Sequence, residues 1–222
     1  MSRGKLIVFE GIDGSGKSTQ YKLLCEKLRA EGVEFRSLVF PQYSEPSSAL
    51  IRMYLGGEFG SRPGDVNAYA ASTFFAVDRF ASYKKEWGEY YENGGLIITD
   101  RYATSNAVHQ ASKLGREERR PFFDWLYDLE YTKMGLPAPD MVVFMDISAD
   151  AASAQMRSRE NATGTSADIH EKDMEYLASC CDAARDAADF YSWQRVECLN
   201  NGKMRTIEDI HSEVVKLVSK QL

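Results

Sequence analysis

Five short runs of apolar residues alternate with longer segments in which apolar residues recur every three or four positions. The runs span residues 5–10, 35–40, 95–100, 140–147 and 194–199. Runs that are almost continuously apolar are typical of parallel strands covered by helices on both faces. Because helical spacing fills the intervals, the sequence predicts an α/β protein with a five-stranded parallel sheet flanked by helices.

The longest helical pattern covers residues 65–91. It contains an apolar stripe that we expect to face the core: Val66, Ala70, Thr73, Val77, Phe80, Trp87 and Tyr91. Phe75 falls on the opposite side and shares its face with Arg79, one turn further along. Such a pair is suited to stacking on a nucleobase and donating to its carbonyl group. The pattern leaves open the alternative that Phe75 packs beneath a neighbouring helix.

The strongest chemical signal, EGIDGSGKST at residues 10–19, follows the first predicted strand. It matches G-x-x-x-x-G-K-[ST] at Gly11, Gly16, Lys17 and Ser18. Between a strand and a helix, this loop presents backbone N–H groups to phosphates, Lys17 adds charge, and the Ser18 hydroxyl reaches Mg²⁺. We therefore predict a nucleoside triphosphate site formed by Gly11, Ile12, Asp13, Gly14, Ser15, Gly16, Lys17, Ser18 and Thr19.

Polar residues also follow the third predicted strand. Asp100 stands at its end, where a carboxylate can help to hold magnesium, and Arg101 is suited to a bidentate phosphoryl contact. Ser105, Asn106 and His109 come within the next helical turn or so, and the amide of Asn106 can both donate and accept. Ligands of parallel sheets bind beyond the carboxyl ends of strands, which favours a site here, although polar clusters are also common on ordinary surfaces.

The segment at residues 157–173, RSRENATGTSADIHEKD, is rich in small and polar residues. This composition favours either a mobile lid on the rim of the molecule or an ordinary solvated loop. In a lid, Arg157 and Arg159 would bring positive charge over a transferring phosphate, and Asp168 would shape the closed state. Arginines that simply face solvent are the alternative.

Bulk properties narrow the choice of partners. The chain has 222 residues and a net charge of −6, which suits one domain over 1–222 and argues against a nucleic-acid polymer as partner. It contains neither a signal-peptide pattern nor an apolar run of about 18 residues, so we expect a cytoplasmic protein without a membrane anchor. The four cysteines lack metal-binding spacing, and we expect reduced thiols.

Taken together, the motifs resemble the thymidylate kinase family, whose members phosphorylate dTMP with ATP. The matching segments are FEGIDGSGKST, FPQY, YAASTFFAVDR, DRYATSN, LEYTKMGLPAPD and the arginine-containing lid. The resemblance implies a three-layer P-loop NTPase fold, MgATP as phosphoryl donor, dTDP as product and a homodimer. The alternatives are another P-loop kinase of deoxynucleotides or deoxynucleosides, and a non-catalytic nucleotide sensor.

The resemblance also implies a role for individual residues. Those expected to contact dTMP are Asp13, Phe40, Pro41, Tyr43, Phe75, Arg79, Arg101, Ser105, Asn106 and His109. Phe75 would stack on thymine, Arg79 would meet its O4 atom, and Asn106 would pair with its edge. Arg101 and Tyr43 would hold the phosphate of dTMP.

A catalytic group and a metal site are implied as well. The catalytic residues would be Asp13, Lys17, Asp100, Arg101, Arg157 and Arg159. Asp13 would hold the 3′-hydroxyl of the sugar and orient the acceptor, while Ser18 and Asp100 would hold Mg²⁺. The phosphate loop lacks the extra basic residue that some members have there, so the lid would supply it.

Two positions depart from the family pattern. FPQYSEPS stands where many bacterial members have REPGG, which bears on the role of Tyr43. His109 stands where the family usually has tyrosine near the sugar. Because imidazole is smaller and can donate or accept, we expect more tolerance of a 2′-hydroxyl at this position.

Overall fold

The computed structural model describes residues 3–163 and 174–222. Five strands form one sheet in the order β2-β3-β1-β4-β5, and every ladder in it is parallel. The strands are β1 (Lys5–Glu10), β2 (Arg36–Val39), β3 (Leu96–Asp100), β4 (Met141–Asp146) and β5 (Gln194–Glu197). All five predicted strands are confirmed within one or two residues, together with their parallel direction.

Helices flank this sheet in the three-layer arrangement that the alternating pattern predicts. They are α1 (Lys17–Ala30), α2 (Ala49–Leu55), α3 (Ala68–Ser82), α4 (Gly88–Glu92), α5 (Thr104–His109), α6 (Arg116–Tyr127), α7 (Ala149–Thr163), α8 (Met174–Tyr191) and α9 (Ile207–Val218). The central strand β1 is buried from Leu6 to Phe9, because helices cover both faces of the sheet. Within the described residues, no helix combines the length and apolar content needed to cross a bilayer.

A small hairpin follows β5 and was not predicted. It pairs β6 (Leu199–Asn200) with β7 (Lys203–Met204) in antiparallel fashion. Asn201 and Gly202 both have positive φ values at its tip, 50° and 75°. An Asn-Gly pair in this conformation is a preferred two-residue hairpin turn, so the signal was present in the sequence.

The predicted long helix begins later than expected, at Ala68, because the Asn67 side chain accepts a hydrogen bond from the Ala70 amide, 2.8 Å away, and caps the helix. After Ser82 the backbone makes a π-helical turn over Tyr83–Trp87 before α4 starts. Trp87 and Tyr91 are buried as predicted.

The predicted core stripe on α3 is wrong. Val77 is 48% exposed, and the buried residues of the helix are instead Ala68, Ala71, Ser72, Ala76, Asp78, Arg79 and Ser82. The helical period was correct, but apolar spacing does not tell which of two stripes the core covers. Here the covered side is the one with small residues and buried charges.

The boundary of the predicted lid also needs correction. Residues 157–163 continue helix α7 and do not form a loop. Arginine, glutamate and alanine, which occur in this stretch, are good helix formers, so its composition fits a helix as well as a loop. Residues 164–173, which include Asp168, lie outside the described residues.

The four cysteines are buried and unpaired, as expected for reduced thiols. Burial raises the pKa of the Cys180 thiol to about 11 and that of the Cys198 thiol to about 12. These thiols are therefore protonated at neutral pH and act as small apolar side chains.

The burial of a valine in the sheet should determine how much the free energy of unfolding falls when that valine is replaced by alanine. Val8 lies at the centre of β1 and is 0% exposed, whereas Val39 on the edge strand β2 is 53% exposed. We expect Val8→Ala to lower the free energy of unfolding by about 2–3 kcal/mol, since it leaves a cavity in the core. Val39→Ala, the matched control, should change it by no more than about 0.5 kcal/mol. Urea unfolding measures both, and equal effects would contradict this account of the core.

Candidate active site

The loop between β1 and α1 has the compact geometry of a phosphate-binding loop. Gly14 has a φ of +81°, and a Cβ atom there would lie only 2.3 Å from the Ala152 carbonyl oxygen of α7. Only glycine suits this backbone and this close approach. A cavity beside the loop is lined by Ile12, Asp13, Gly14, Ser15, Gly16, Lys17, Ser18, Thr19, Gln155 and Met156. It therefore contains every predicted loop residue except Gly11.

Lys17, Ser18 and Asp100 meet at the start of α1. The Asp100 carboxylate accepts hydrogen bonds from Lys17 Nζ and from Ser18 Oγ, the latter at 2.7 Å. Burial and the positive charge of Arg101 lower the pKa of Lys17, whereas Asp100 opposes that shift. The structure thus brings together three residues that were predicted from two separate strand ends.

This group also fits a magnesium ion. A hydroxyl and a carboxylate oxygen are hard donors of the kind that Mg²⁺ prefers. In the described part of the chain, no three His, Cys, Asp or Glu side chains are clustered to hold a metal ion. Ser18 and Asp100 would therefore hold magnesium only together with phosphate oxygens and water, as is usual for this ion.

Arg101 is fixed from several sides. Its Nη2 donates to Asp13 Oδ1 at 2.6 Å, its Nη1 lies 2.8 Å from His109 Nε2, and Glu10 is 4.0 Å away. Burial disfavours the charged guanidinium, but Asp13 and Glu10 outweigh this effect and raise the pKa of Arg101. Because a guanidinium can only donate, His109 Nε2 accepts, and the imidazole carries its proton on Nδ1.

Glu10 organises the backbone around the loop, and it was missed as a site residue. Its side chain is fully buried and accepts from the Gly11 amide at 2.8 Å and from the Thr104 and Ser105 hydroxyls at 2.7 Å. The predicted substrate residue Ser105 is therefore bonded to Glu10 on the edge of the site. The signal was an acidic residue that ends an otherwise apolar strand next to the glycine loop.

A second cavity, of about 220 Å³, lies beside the first. It is lined by all ten residues predicted to contact the substrate: Asp13, Phe40, Pro41, Tyr43, Phe75, Arg79, Arg101, Ser105, Asn106 and His109. Five further residues line it that were not predicted: Tyr54, Leu55, Tyr102, Gln110 and Tyr176. Of these residues, Tyr43 is 52% exposed, whereas Phe40 is buried.

Arg79 and Asn106 are held by a buried glutamate that sequence reasoning missed. Arg79 Nε donates to Glu130 Oε2 at 2.7 Å, and Arg79 Nη2 donates to Glu130 Oε1. Burial alone would lower the pKa of Arg79, but the negative charge of Glu130 outweighs this effect and raises it. The Asn106 amide nitrogen donates to Ser72 O at 3.1 Å and to Glu130 Oε1 at 3.3 Å. No spacing rule could pair Arg79 with Glu130, because 51 residues separate them.

Phe75 faces the same cavity. Its ring lies 6.3 Å from that of Tyr54, at an interplanar angle of 89°. An edge-to-face contact of this kind covers at most one face of the Phe75 ring, so another planar group can stack on the other. Of the two alternatives left open for Phe75, this position favours a stacking platform.

Of the two lid arginines, Arg157 does not line either cavity. Arg157 is exposed on α7 and donates to the Ser153 hydroxyl at 3.0 Å, one turn back along the same helix. Arg159 also belongs to α7. The catalytic role expected for these two residues is therefore a proposal and not an observed contact.

Comparison with known proteins identifies the family. The family model for thymidylate kinase matches residues 9–213. The thymidylate kinase of Mycobacterium tuberculosis is 34% identical over 172 residues, which are 77% of this chain and 79% of that protein. The thymidylate kinase of Plasmodium falciparum is 29% identical over 218 residues, 98% of this chain and 91% of that protein.

A solved structure gives the same architecture. Thymidylate kinase from Candida albicans superposes with a TM-score of 0.72 and covers 100% of this chain and 94% of its own. At 22% identity, this likeness shows the fold alone. With the family model and the curated relatives beside it, the conclusion is that the chain belongs to the thymidylate kinase family, the nucleoside monophosphate kinases that phosphorylate dTMP.

Proposed function

We propose that the two cavities hold MgATP and dTMP side by side and that the chain transfers the γ-phosphoryl group between them. The observation that carries this proposal is Asp13, which lines both cavities and receives a hydrogen bond from Arg101. The same carboxylate thus stands where a donor phosphate and an acceptor phosphate would meet. Phosphoryl transfer depends mainly on positioning and charge stabilisation, and Arg101, which Asp13 holds at this junction, would supply the positive charge.

On the donor side, the loop amides at the start of α1 would bind the phosphates, and Lys17 would contact the β- and γ-phosphates. Ser18 and Asp100, together with phosphate oxygens, would hold magnesium, which would supply positive charge next to the phosphates. In this structure, Lys17 Nζ donates a hydrogen bond to the Asp100 carboxylate. We propose that bound phosphate competes for the Lys17 ammonium and frees the carboxylate for the metal.

On the acceptor side, Arg101 and Tyr43 would bind the phosphate of dTMP, and Asp13 would orient its sugar. Both amide hydrogens of Asn106 are engaged by Ser72 and Glu130, so its carbonyl oxygen is left to accept the N3–H group of thymine. Arg79, which Glu130 fixes, would donate to O4. An acceptor beside a donor matches the N3–H and O4 of a 4-keto pyrimidine.

The lid would complete the site. We propose that Arg157 or Arg159 moves towards the transferring phosphate when substrates bind. The support is their place on α7, the helix whose Ala152 carbonyl lies against Gly14 of the phosphate loop. An arginine that acts on the transition state is typically worth ~10³-fold or more in kcat.

We further propose a cytoplasmic homodimer. The support for a reducing compartment is that the four cysteines are unpaired. The support for a dimer is the outer stripe of α3, consisting of Tyr69, Thr73 and Val77 at spacings of four. Val77 is 48% exposed on the side of α3 opposite Phe75 and Arg79, and Tyr69 is 40% exposed although its ring packs against Phe122 and Trp125 of α6. Exposed apolar side chains on one stripe of a helix are a common feature of an interface.

Lys17→Ala should lower kcat for dTMP phosphorylation by at least ~10²-fold, because it removes the cation placed for the β- and γ-phosphates. Lys22→Ala is the matched control, since Lys22 is exposed on the same helix. The measurement is coupled ADP release with dTMP, alongside urea unfolding of each variant. A folded Lys17→Ala protein with native turnover would refute the assignment.

Replacing the Arg79–Glu130 pair should remove discrimination against dCMP. Arg79→Ala alone would strand a buried carboxylate and cost about 3–5 kcal/mol of stability, so the double variant Arg79→Met/Glu130→Gln is the better probe. Wild type should reject dCMP strongly, because its 4-amino group would face the guanidinium donors, and should reject dUMP only ~10–200-fold. In the double variant we expect the dTMP-to-dCMP ratio of kcat/KM to fall at least ~10-fold. Equal losses on both substrates would argue against the contact.

Val77→Asp should shift the protein towards monomers, because it puts a charge on the outer stripe of α3. Val39→Asp is the control, since Val39 is similarly exposed but lies on the edge strand β2. Sedimentation velocity across a concentration series separates the two states. If both variants sediment like wild type, the outer stripe is not the interface.

A further inference from the structure

The loop between β2 and α2, residues 40–48, forms part of the wall of the substrate cavity. Tyr43 stands at the centre of a turn in this loop, because the Glu45 amide donates to the Gln42 carbonyl at 2.9 Å. The Tyr43 side chain is 52% exposed and lines the cavity. Because connecting loops are the more mobile part of a fold, this side chain keeps a defined position only if the backbone beneath it is anchored.

One buried carboxylate on α3 supplies two anchors for this turn. Asp78 is only 1% exposed. Its Oδ2 atom accepts from the Gln42 amide at 2.9 Å, and its Oδ1 atom accepts from the Ser47 hydroxyl at 2.6 Å. The two hydrogen bonds therefore hold the loop on both sides of Tyr43. Burying a carboxylate is costly and most other buried residues of α3 are small, so packing alone does not explain an aspartate here.

Arg52 of α2 fixes the same turn from a second helix. Its Nη1 donates to the Tyr43 carbonyl at 2.7 Å and to the Glu45 carbonyl at 3.2 Å. It also donates to the Ser48 hydroxyl. The backbone that carries the Tyr43 side chain is thus bonded to α2 and, through Asp78, to α3.

The Tyr43 side chain lies within electrostatic reach of the arginine that we propose for the phosphate of dTMP. Burial disfavours the charged guanidinium of Arg101, but four neighbouring groups raise its pKa, namely Asp13, Glu10, Asp100 and Tyr43. Arg101 and Tyr43 also line the same cavity. Two donors, a guanidinium and a phenol, therefore come from different elements to one part of the cavity, where an anionic phosphate would accept from both.

We propose that Asp78 is a positioning residue for the acceptor phosphate, because it holds the loop that keeps Tyr43 beside Arg101. Asp78 is not among the described residues that line the cavity, so it acts through the loop and not through substrate contact. The inference rests on the proposed binding of the dTMP phosphate by Arg101 and Tyr43. Since Asp78 precedes Arg79 in the chain, the experiment also has to separate an effect on the phosphate from an effect on the base.

The test compares dTMP with thymidine, which has the same base and sugar but no phosphate. Coupled ADP release gives KM for dTMP and for ATP, and Ki for thymidine as a competitive inhibitor of dTMP. A hydrogen bond to a charged group is worth about a 10- to 100-fold change, so Tyr43→Phe should raise KM for dTMP by about that factor. Asp78→Ala should raise it at least ~5-fold and leave KM for ATP and Ki for thymidine within ~2-fold of wild type, because only the phosphate loses a contact.

Two further variants follow the hydrogen bonds themselves. In Asp78→Asn the amide can accept from Gln42 N and donate to Ser47 Oγ, so both bonds persist, and KM for dTMP should stay within ~3-fold of wild type. Ser47→Ala removes one bond and should raise KM for dTMP by about 2- to 5-fold, since a neighbouring bond remains. In the Asp78→Ala background it should have no further effect.

Loss of stability alone needs its own control. Val8→Ala destabilises the core and should keep native KM for both substrates and native Ki for thymidine, although it unfolds at lower urea concentration. If Asp78→Ala fails to fold, Ser47→Ala decides the matter with the same substrates. A folded Ser47→Ala protein with unchanged KM for dTMP would overturn the proposal.

Other results separate the possible failures. If Ki for thymidine rises in Asp78→Ala as much as KM for dTMP, the effect lies on the base and sugar and the proposal is wrong. The proposal also fails if Tyr43→Phe costs as much in the Asp78→Ala background as in wild type. Native KM for dTMP in Tyr43→Phe would remove the phosphate contact on which the inference rests. Absence of ADP release by wild type with dTMP would instead contradict the proposed function itself.

Discussion

The site depends on the parallel register between β1 and β3. In that register Phe9 pairs with Asp100, and the Arg101 amide donates to the Phe9 carbonyl at 3.0 Å. The two strands therefore end side by side, which places the glycine loop of one against the Asp-Arg pair of the other. A shift of one residue would turn these side chains to the other face of the sheet and separate Asp100 from Lys17 and Ser18.

Buried charges then fix the parts of the site that the backbone leaves free. Glu10 ties the loop to the beginning of α5, Glu130 holds Arg79, and Asp78 accepts from Gln42 N at 2.9 Å and Ser47 Oγ at 2.6 Å. Burying a charge is costly unless hydrogen bonds and opposite charges compensate it. Each of these carboxylates has hydrogen-bond partners, which offset the cost of its desolvation. The same hydrogen bonds fix the geometry of the residues around the cavity.

Helix α3 shows how one element serves two purposes. Its inner face is built from small residues, which let the helix approach closely, and from two charged residues. Arg79 lines the cavity, and Asp78 holds Gln42 and Ser47. Its outer stripe carries the exposed apolar residues that we propose form a dimer contact. A helix that presents substrate contacts on one face and a subunit contact on the other would make the geometry of the site sensitive to assembly.

The sequence by itself determined the local elements and the chemistry with local signatures. The five strands, the loop from Gly11 to Ser18 and the Asp100–Arg101 pair each follow from residues that are adjacent in the chain, and strand ends of a parallel sheet must meet at one edge. The family resemblance supplied the ten predicted substrate residues, all of which line one cavity. Only the tertiary structure decided that Glu130 fixes Arg79, that Glu10 anchors the loop, that Val77 faces outwards and that Gln110 lines the substrate cavity. Each of these features depends on which elements pack together although they are far apart in the chain. Apolar spacing at the helical period identifies a stripe on a helix, but it does not identify the element that packs against that stripe.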